Sequence, residues 1–246
     1  MSAPATLPIA QPVMLPAAAR LREPIHLDLL DPAARKDWGR RVLQLREHWR
    51  PRHPVAPFFT LGLAAYLDHG PHGTGLYADD AARHAANALL DAQFRPLLDT
   101  VAAALSARLG APAVLAAADD RAALPGFHIY LPHPAFGKPV ANVHRDLQFR
   151  DVFPAHEPTP GGLISFTLSL STPPGSGLRH WPAEPAESDG NADGEPAFFP
   201  YRDGMLVVHD GLVTHQAVLA CDGGVARITL QGHGLQRQDG RFVLYW

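Results

Sequence analysis

Three scarcities bound the possibilities for this chain. It has one cysteine, Cys221, in 246 residues, so no internal disulfide can form. No apolar run approaches the ~20 residues needed to cross a bilayer, which argues against a membrane-spanning helix. Charge is sparse as well: 18% of residues are Asp, Glu, Lys or Arg, and the balance is −3 with histidine neutral. Such a balance gives no electrostatic reason to expect a nucleic-acid partner, and neither a basic stripe nor a base-flipping motif is present. The first 21 residues lack a basic start, and prolines at 4, 8, 12 and 16 interrupt every apolar stretch, so they make a poor signal peptide. The single cysteine and the missing leader favour a cytoplasmic protein.

Proline, glycine and histidine are abundant, with 25, 21 and 14 copies. Pro/Ala-rich residues 1–24 read as a flexible arm. Residues 25–246 read as one domain, divided into a helical support over 25–125 and a β-rich core over 126–246. In the support, Asp31 and Pro32 open a helix that runs to about Trp49, with Val42, Leu45 and Trp49 on one face. A longer Ala/Leu-rich helix spans about Asp79 to Leu109, kinked near Pro96 and closed by Gly110. The stretch from Phe58 to Tyr77 is ambiguous.

Strand signals begin near residue 126. Phe127–Leu131, Val143–Phe149, Gly162–Leu170, Met205–Val208, Gln216–Leu219, Val225–Gln231 and Phe242–Tyr245 combine β-formers with period-two alternation between Pro/Gly turns. Seven or eight short strands of this kind imply an antiparallel sandwich or barrel. The polar segment 183–196 reads as an exposed loop.

The chemistry concentrates in few positions. His144 and Asp146 stand two apart, so a strand would put both on one face and turn Arg145 away. A third ligand, His215, follows the apolar strand and turn Gly204–Thr214, a separation of 215 − 146 = 69 residues. Two histidines and one carboxylate form a facial triad that leaves three metal positions open, the arrangement of non-haem iron(II) oxygenases. Twelve residues beyond His215, Arg227 and Thr229 again share a face. A guanidinium fork with a neighbouring hydroxyl suits the carboxylate of a keto-diacid whose other end chelates the metal.

The pattern His144-x-Asp146, His215, Arg227-x-Thr229 resembles the iron(II)/2-oxoglutarate-dependent dioxygenases over residues 126–246. That resemblance implies a mainly β fold with supporting helices: a double-stranded β-helix, also called a jelly-roll or cupin-like barrel, with N-terminal helices. It implies Fe(II), with 2-oxoglutarate and O2 as co-substrates, and hydroxylation of a small molecule such as an amino acid or natural-product intermediate. It places Tyr130 beside the 2-oxoglutarate carboxylate. Asp146 argues against the related halogenases, which lack that ligand.

Several alternatives stand beside this reading. His209 competes with His215 as the distal ligand, and His215 has the better spacing to Arg227. His233 reads as structural or as lying at a barrel mouth. Arg179, His180 and Trp181 either meet the substrate or form a surface turn. A cupin-type metal enzyme without 2-oxoglutarate has no need of Arg227 and Thr229. A peptide or protein hydroxylase needs an open groove, and a cupin-like binding module needs no metal for its function. Neither substrate identity nor oligomeric state is legible.

Overall fold

The computed structural model describes Leu21, residues 23–181 and residues 194–246. The expected arm (1–24) and the expected loop (183–196) therefore fall mostly outside the described residues.

The described residues hold twelve strands: β1 Ile25–Asp28, β2 Arg50–Pro51, β3 Phe58–Leu61, β4 Ala113–Leu115, β5 Gly126–Tyr130, β6 Leu163–Ser171, β7 Gly177–His180, β8 Ala197–Pro200, β9 Met205–Asp210, β10 His215–Val218, β11 Arg227–Gln236 and β12 Phe242–Tyr245. The α-helices are α1 Pro32–Gln44, α2 Ala65–Asp68, α3 Asp80–Leu109 and α4 Phe149–Val152. Nine strands form one sheet, in the order β1-β9-β6-β11-β5-β3-β2, with β12 pairing both β11 and β4. Among the described residues only the β4–β12 pair is parallel. A second sheet holds β10-β7-β8, all antiparallel. The sheets do not join into a closed barrel among the described residues.

Strand β11 organises the large sheet. At ten residues it pairs with β6 along one edge, and with β5 and then β12 along the other. Because side chains alternate faces, Ile228 and Leu230 join Phe127, Ile129, Ile164, Phe166, Leu168, Leu170, Leu206 and Val208 in one buried apolar layer. Helix α3 covers that layer with Leu90, Phe94, Leu97, Leu98, Val101 and Leu105, at the spacing of a helical stripe. The opposite face carries Ser165, Thr167, Ser169, Arg227, Thr229, Gln231 and His233.

Local signals explain the helix ends. The Asp31 carboxylate accepts from the Ala33 and Ala34 amides at 2.8 Å each, with Pro32 in the first turn. Asp79 caps α3 in the same way, and Gly110 closes it with φ 65°. Helix α1 stops at Gln44, short of the expected Trp49; a single 3-10 turn, Arg46–His48, follows. At Gly126 a Cβ would lie 2.3 Å from the Trp246 ring, so glycine there admits the C-terminal indole.

Two expectations are corrected. Residues 25–125 are not purely helical support, since β1 and β3 add to the large sheet through β9 and β5. Residues 143–149 are not a strand: the segment makes one isolated bridge, His144 to His215, and then turns into α4. Strands β7 and β8 were not anticipated.

Phe94 is fully buried, with its ring centroid 4.5 Å from that of Phe127. Phe94→Ala should lower unfolding free energy by about 3–5 kcal/mol, read as a reduced urea midpoint at unchanged slope. A loss under about 1 kcal/mol would contradict the packing of α3 on the sheet.

Candidate metal centre

The isolated bridge pins the ligand segment. His144 N donates to His215 O and His215 N donates to His144 O, both at 2.9 Å, while Asp146 N donates to Gly211 O at 2.8 Å. These bonds bring two segments distant in sequence to one point. One donor atom each from His144, Asp146 and His215 lies within 4.8 Å of the others. His144 Nε2 is 3.5 Å from Asp146 Oδ1, and His215 Nε2 is 3.4 Å from Oδ2.

Both imidazoles are set for metal binding by their second nitrogen. His144 Nδ1 donates to Asn142 O at 2.9 Å and His215 Nδ1 to Val213 O at 2.8 Å. A carbonyl only accepts, so Nδ1 carries the proton and each Nε2 offers its lone pair toward Asp146. The donor set fits a divalent cation: two neutral nitrogens and a carboxylate, spaced as neighbouring ligands around one ion with bonds of about 2.1 Å.

A chain of polar groups holds the carboxylate. Gln148 Nε2 donates to His233 Nε2 at 2.5 Å, leaving His233 Nδ1–H to donate to Ser165 Oγ at 2.9 Å. Ser165 Oγ donates in turn to Asp146 Oδ2. Burial pushes the Asp146 carboxyl up, but His215, His233 and His144 outweigh it and hold the group well below the usual carboxylate range. Asp146 therefore stays ionised.

His209 is not in the ligand cluster. Its Nδ1 donates to Asp210 O at 3.1 Å, and its ring packs edge-on against His215 with centroids 4.4 Å apart.

A cavity of about 840 Å³ opens from this cluster between the two sheets. Arg227 reaches into it from the large sheet, 1% exposed. Its Nη1 is 3.5 Å from Thr229 Oγ1, and its Nε and Nη2 have no hydrogen-bond partner among the described residues. Its guanidinium lies 5.5 Å from the Tyr130 ring centroid and 5.6 Å from that of Tyr201. Tyr130 pairs with Arg227 across the strands and stacks on Phe58 at 4.3 Å. Burial pushes the Tyr130 phenol up to about 12. Nearby, His128 accepts from or donates to Tyr66 Oη at 2.6 Å. Burial, and then Arg227, push its pKa well below the usual imidazole value, so it stays neutral.

Other expected residues lie elsewhere. Arg179 donates to Gln216 Oε1 at 3.1 Å, and Trp181 Nε1 donates to Gly194 O at 3.1 Å. His180 is fully buried against Phe199 and His209. None of the three lines the cavity; Leu178 of the same strand does. Arg145, expected to face away from the metal, lines the cavity instead, because its segment is irregular and alternation does not apply. Sequence reasoning did not single out Tyr201, Ser165 or Gln148. Ser165 shared a face with Thr167 and Ser169 by simple alternation and was findable; Tyr201, in a Pro-flanked turn, carried no periodic signal.

No family model matches the chain, and no curated protein matches it. Among solved structures, the chain is similar to an N-substituted L-amino acid dioxygenase from Burkholderia ambifaria AMMD in complex with alpha-KG. That match has a TM-score of 0.58 and 13% identity, and covers 94% of this chain and 90% of that one. It is also similar to SnoN, a non-heme alpha ketoglutarate dependent epimerase from nogalamycin biosynthesis, at TM-score 0.53 and 14% identity, covering 90% and 84%. Likeness at these identities establishes a shared fold.

A cation at this centre competes with a proton at His144. Burial lowers that residue's pKa, but the hydrogen bond and charge of Asp146 prevail and raise it above 6.5. Cobalt(II) affinity should therefore fall as pH drops from about 8 to 6, approaching tenfold per unit below the His144 pKa. Titrations followed by the cobalt visible spectrum check this, and a flat affinity would contradict it.

Proposed function

We propose that this chain is an iron(II)- and 2-oxoglutarate-dependent oxygenase that hydroxylates a small molecule, built on a double-stranded β-helix. The observation that carries the proposal is Arg227. A guanidinium buried without a counter-charge costs several kcal/mol, and this one faces the cavity that holds the His144–Asp146–His215 cluster. A metal enzyme without a keto acid has no use for such a charge. The shared fold adds support, since the two similar structures are described as working with alpha-ketoglutarate.

In this reading His144, Asp146 and His215 hold the iron, and Arg227 with Thr229 takes the far carboxylate of 2-oxoglutarate. An iron ion and 2-oxoglutarate held by these residues would supply O2 activation, by which a substrate C–H would become C–OH as 2-oxoglutarate is converted to succinate and CO2. The rest is work of the chain. The backbone carbonyls of Asn142 and Val213 fix the two imidazoles. The Gln148–His233–Ser165 chain aims the Asp146 carboxylate. The Tyr130 and Tyr201 rings flank the guanidinium and keep water from it, so its charge acts at low dielectric. Tyr130 thus serves as a wall of the clamp as well as a candidate hydroxyl donor to it. No helix among the described residues is long and apolar enough to cross a membrane, and the proposed location is the cytoplasm.

Arg227→Met separates function from stability. Anaerobic iron(II) protein should melt higher with saturating 2-oxoglutarate, by about 2.7 kcal/mol at a hundredfold excess over Kd. The variant should show no such shift, while its ligand-free melting point stays equal to or above that of the parent, because an unpaired buried charge is gone. A variant still stabilised by 2-oxoglutarate would overturn the clamp.

A further inference from the structure

Among the described residues, charged side chains lining the cavity are few. Asp146 belongs to the metal centre and Arg227 to the co-substrate clamp, which leaves Arg145 and Asp151. Arg145 is the one tied to the metal centre. It stands between the ligands His144 and Asp146, and its Nε donates to Oγ1 of Thr214, the residue before the third ligand, at 3.3 Å. Its side chain is thus anchored within one residue of all three ligands. Its Nη1 and Nη2 have no protein partner among the described residues, which leaves the flat edge of the fork for a ligand. Asp151 sits on the short helix α4 with no hydrogen bond fixing its carboxylate among the described residues.

Aromatic rings form one part of the remaining wall, among small, polar and aliphatic residues. Phe58, Tyr66, Phe136 and Trp246 line the same cavity. Its volume of about 840 Å³ lies in the upper part of the ~300–1,000 Å³ range for small-molecule sites, so a second organic molecule fits beside 2-oxoglutarate.

On the oxygenase reading above, we propose that the primary substrate is a carboxylic acid with an aromatic or apolar body, its carboxylate taken by Arg145 and its body lying against the aromatic wall. A guanidinium fork selects a planar anion over a neutral amide of equal shape, because the amide brings a donor where only an acceptor is satisfied.

The test uses anaerobic iron(II) protein saturated with 2-oxoglutarate, with phenylacetate, phenylacetamide and phenethylamine as matched probes, read by ligand-observed NMR titration. Phenylacetate should bind at least about tenfold more tightly than the amide. Arg145→Gln should reduce phenylacetate affinity to that of the amide, and Arg145→Lys should restore part of it. The proposal is overturned if acid and amide bind alike, if the amine binds best, if the acid does not bind, or if Arg145→Gln leaves it unaffected. Acid binding lost in Arg227→Met but kept in Arg145→Gln would put the acid in the other clamp and also overturn it. Failure of the oxygenase reading shows separately, as a protein that 2-oxoglutarate does not stabilise; a carboxylate preference that depends on Arg145 would stand even then.

Discussion

Everything in the site depends on one strand having two faces. Along β11, Ile228 and Leu230 are packed under α3, which commits Arg227, Thr229, Gln231 and His233 to the opposite face, where Arg227, Gln231 and His233 line the cavity. A slip of one residue would bury the guanidinium in the apolar layer and present isoleucine to the cavity. The long pairing with β6, and the split partnership with β5 and β12, make that slip costly. Register here is a functional quantity, because the same pairing aligns Arg227 with Tyr130 and His233 with Ser165.

The two faces also divide the energetics. The outer face and α3 supply apolar burial, worth about 25 cal/mol per Å² removed from water. The inner face spends stability: an unpaired guanidinium, an ionised Asp146 and neutral histidines sit where water is largely excluded. Such a concentration of polar groups persists only where surrounding structure over-determines it. The Gln148–His233–Ser165 chain shows how: each donor has an acceptor, and the chain ends on the carboxylate.

What was legible in the sequence follows regular structure. Residues on strands with clean alternation were readable: Arg227 and Tyr130 line the cavity, while Thr229 shares the face of Arg227 and lies buried beside it without lining the cavity. His144, Asp146 and His215 were readable from residue type and spacing, although the strand invoked for the first two is absent. Arg145 was misread for that reason: three backbone hydrogen bonds to a distant segment set its direction, and no local pattern encodes them. Arg179, His180 and Trp181 were expected near the substrate from their place in the chain. Arg179 and His180 instead lie on β7, which pairs with β10, and Trp181 follows it; of this stretch Leu178 lines the cavity. Trp246, the last residue, entered the cavity wall through a gap that Gly126 leaves on a neighbouring strand. A contact of that kind depends on two positions at once.

The central claim is that one keto-diacid bridges the His144–Asp146–His215 centre and Arg227. Anaerobic titration of the iron(II)-loaded protein with 2-oxoglutarate, followed in the visible spectrum, tests it without knowledge of the primary substrate. The account predicts a metal-to-ligand charge-transfer band that grows with 2-oxoglutarate and is absent in His215→Ala. Bound iron with no such band would contradict it and leave Arg227 without the partner its burial demands.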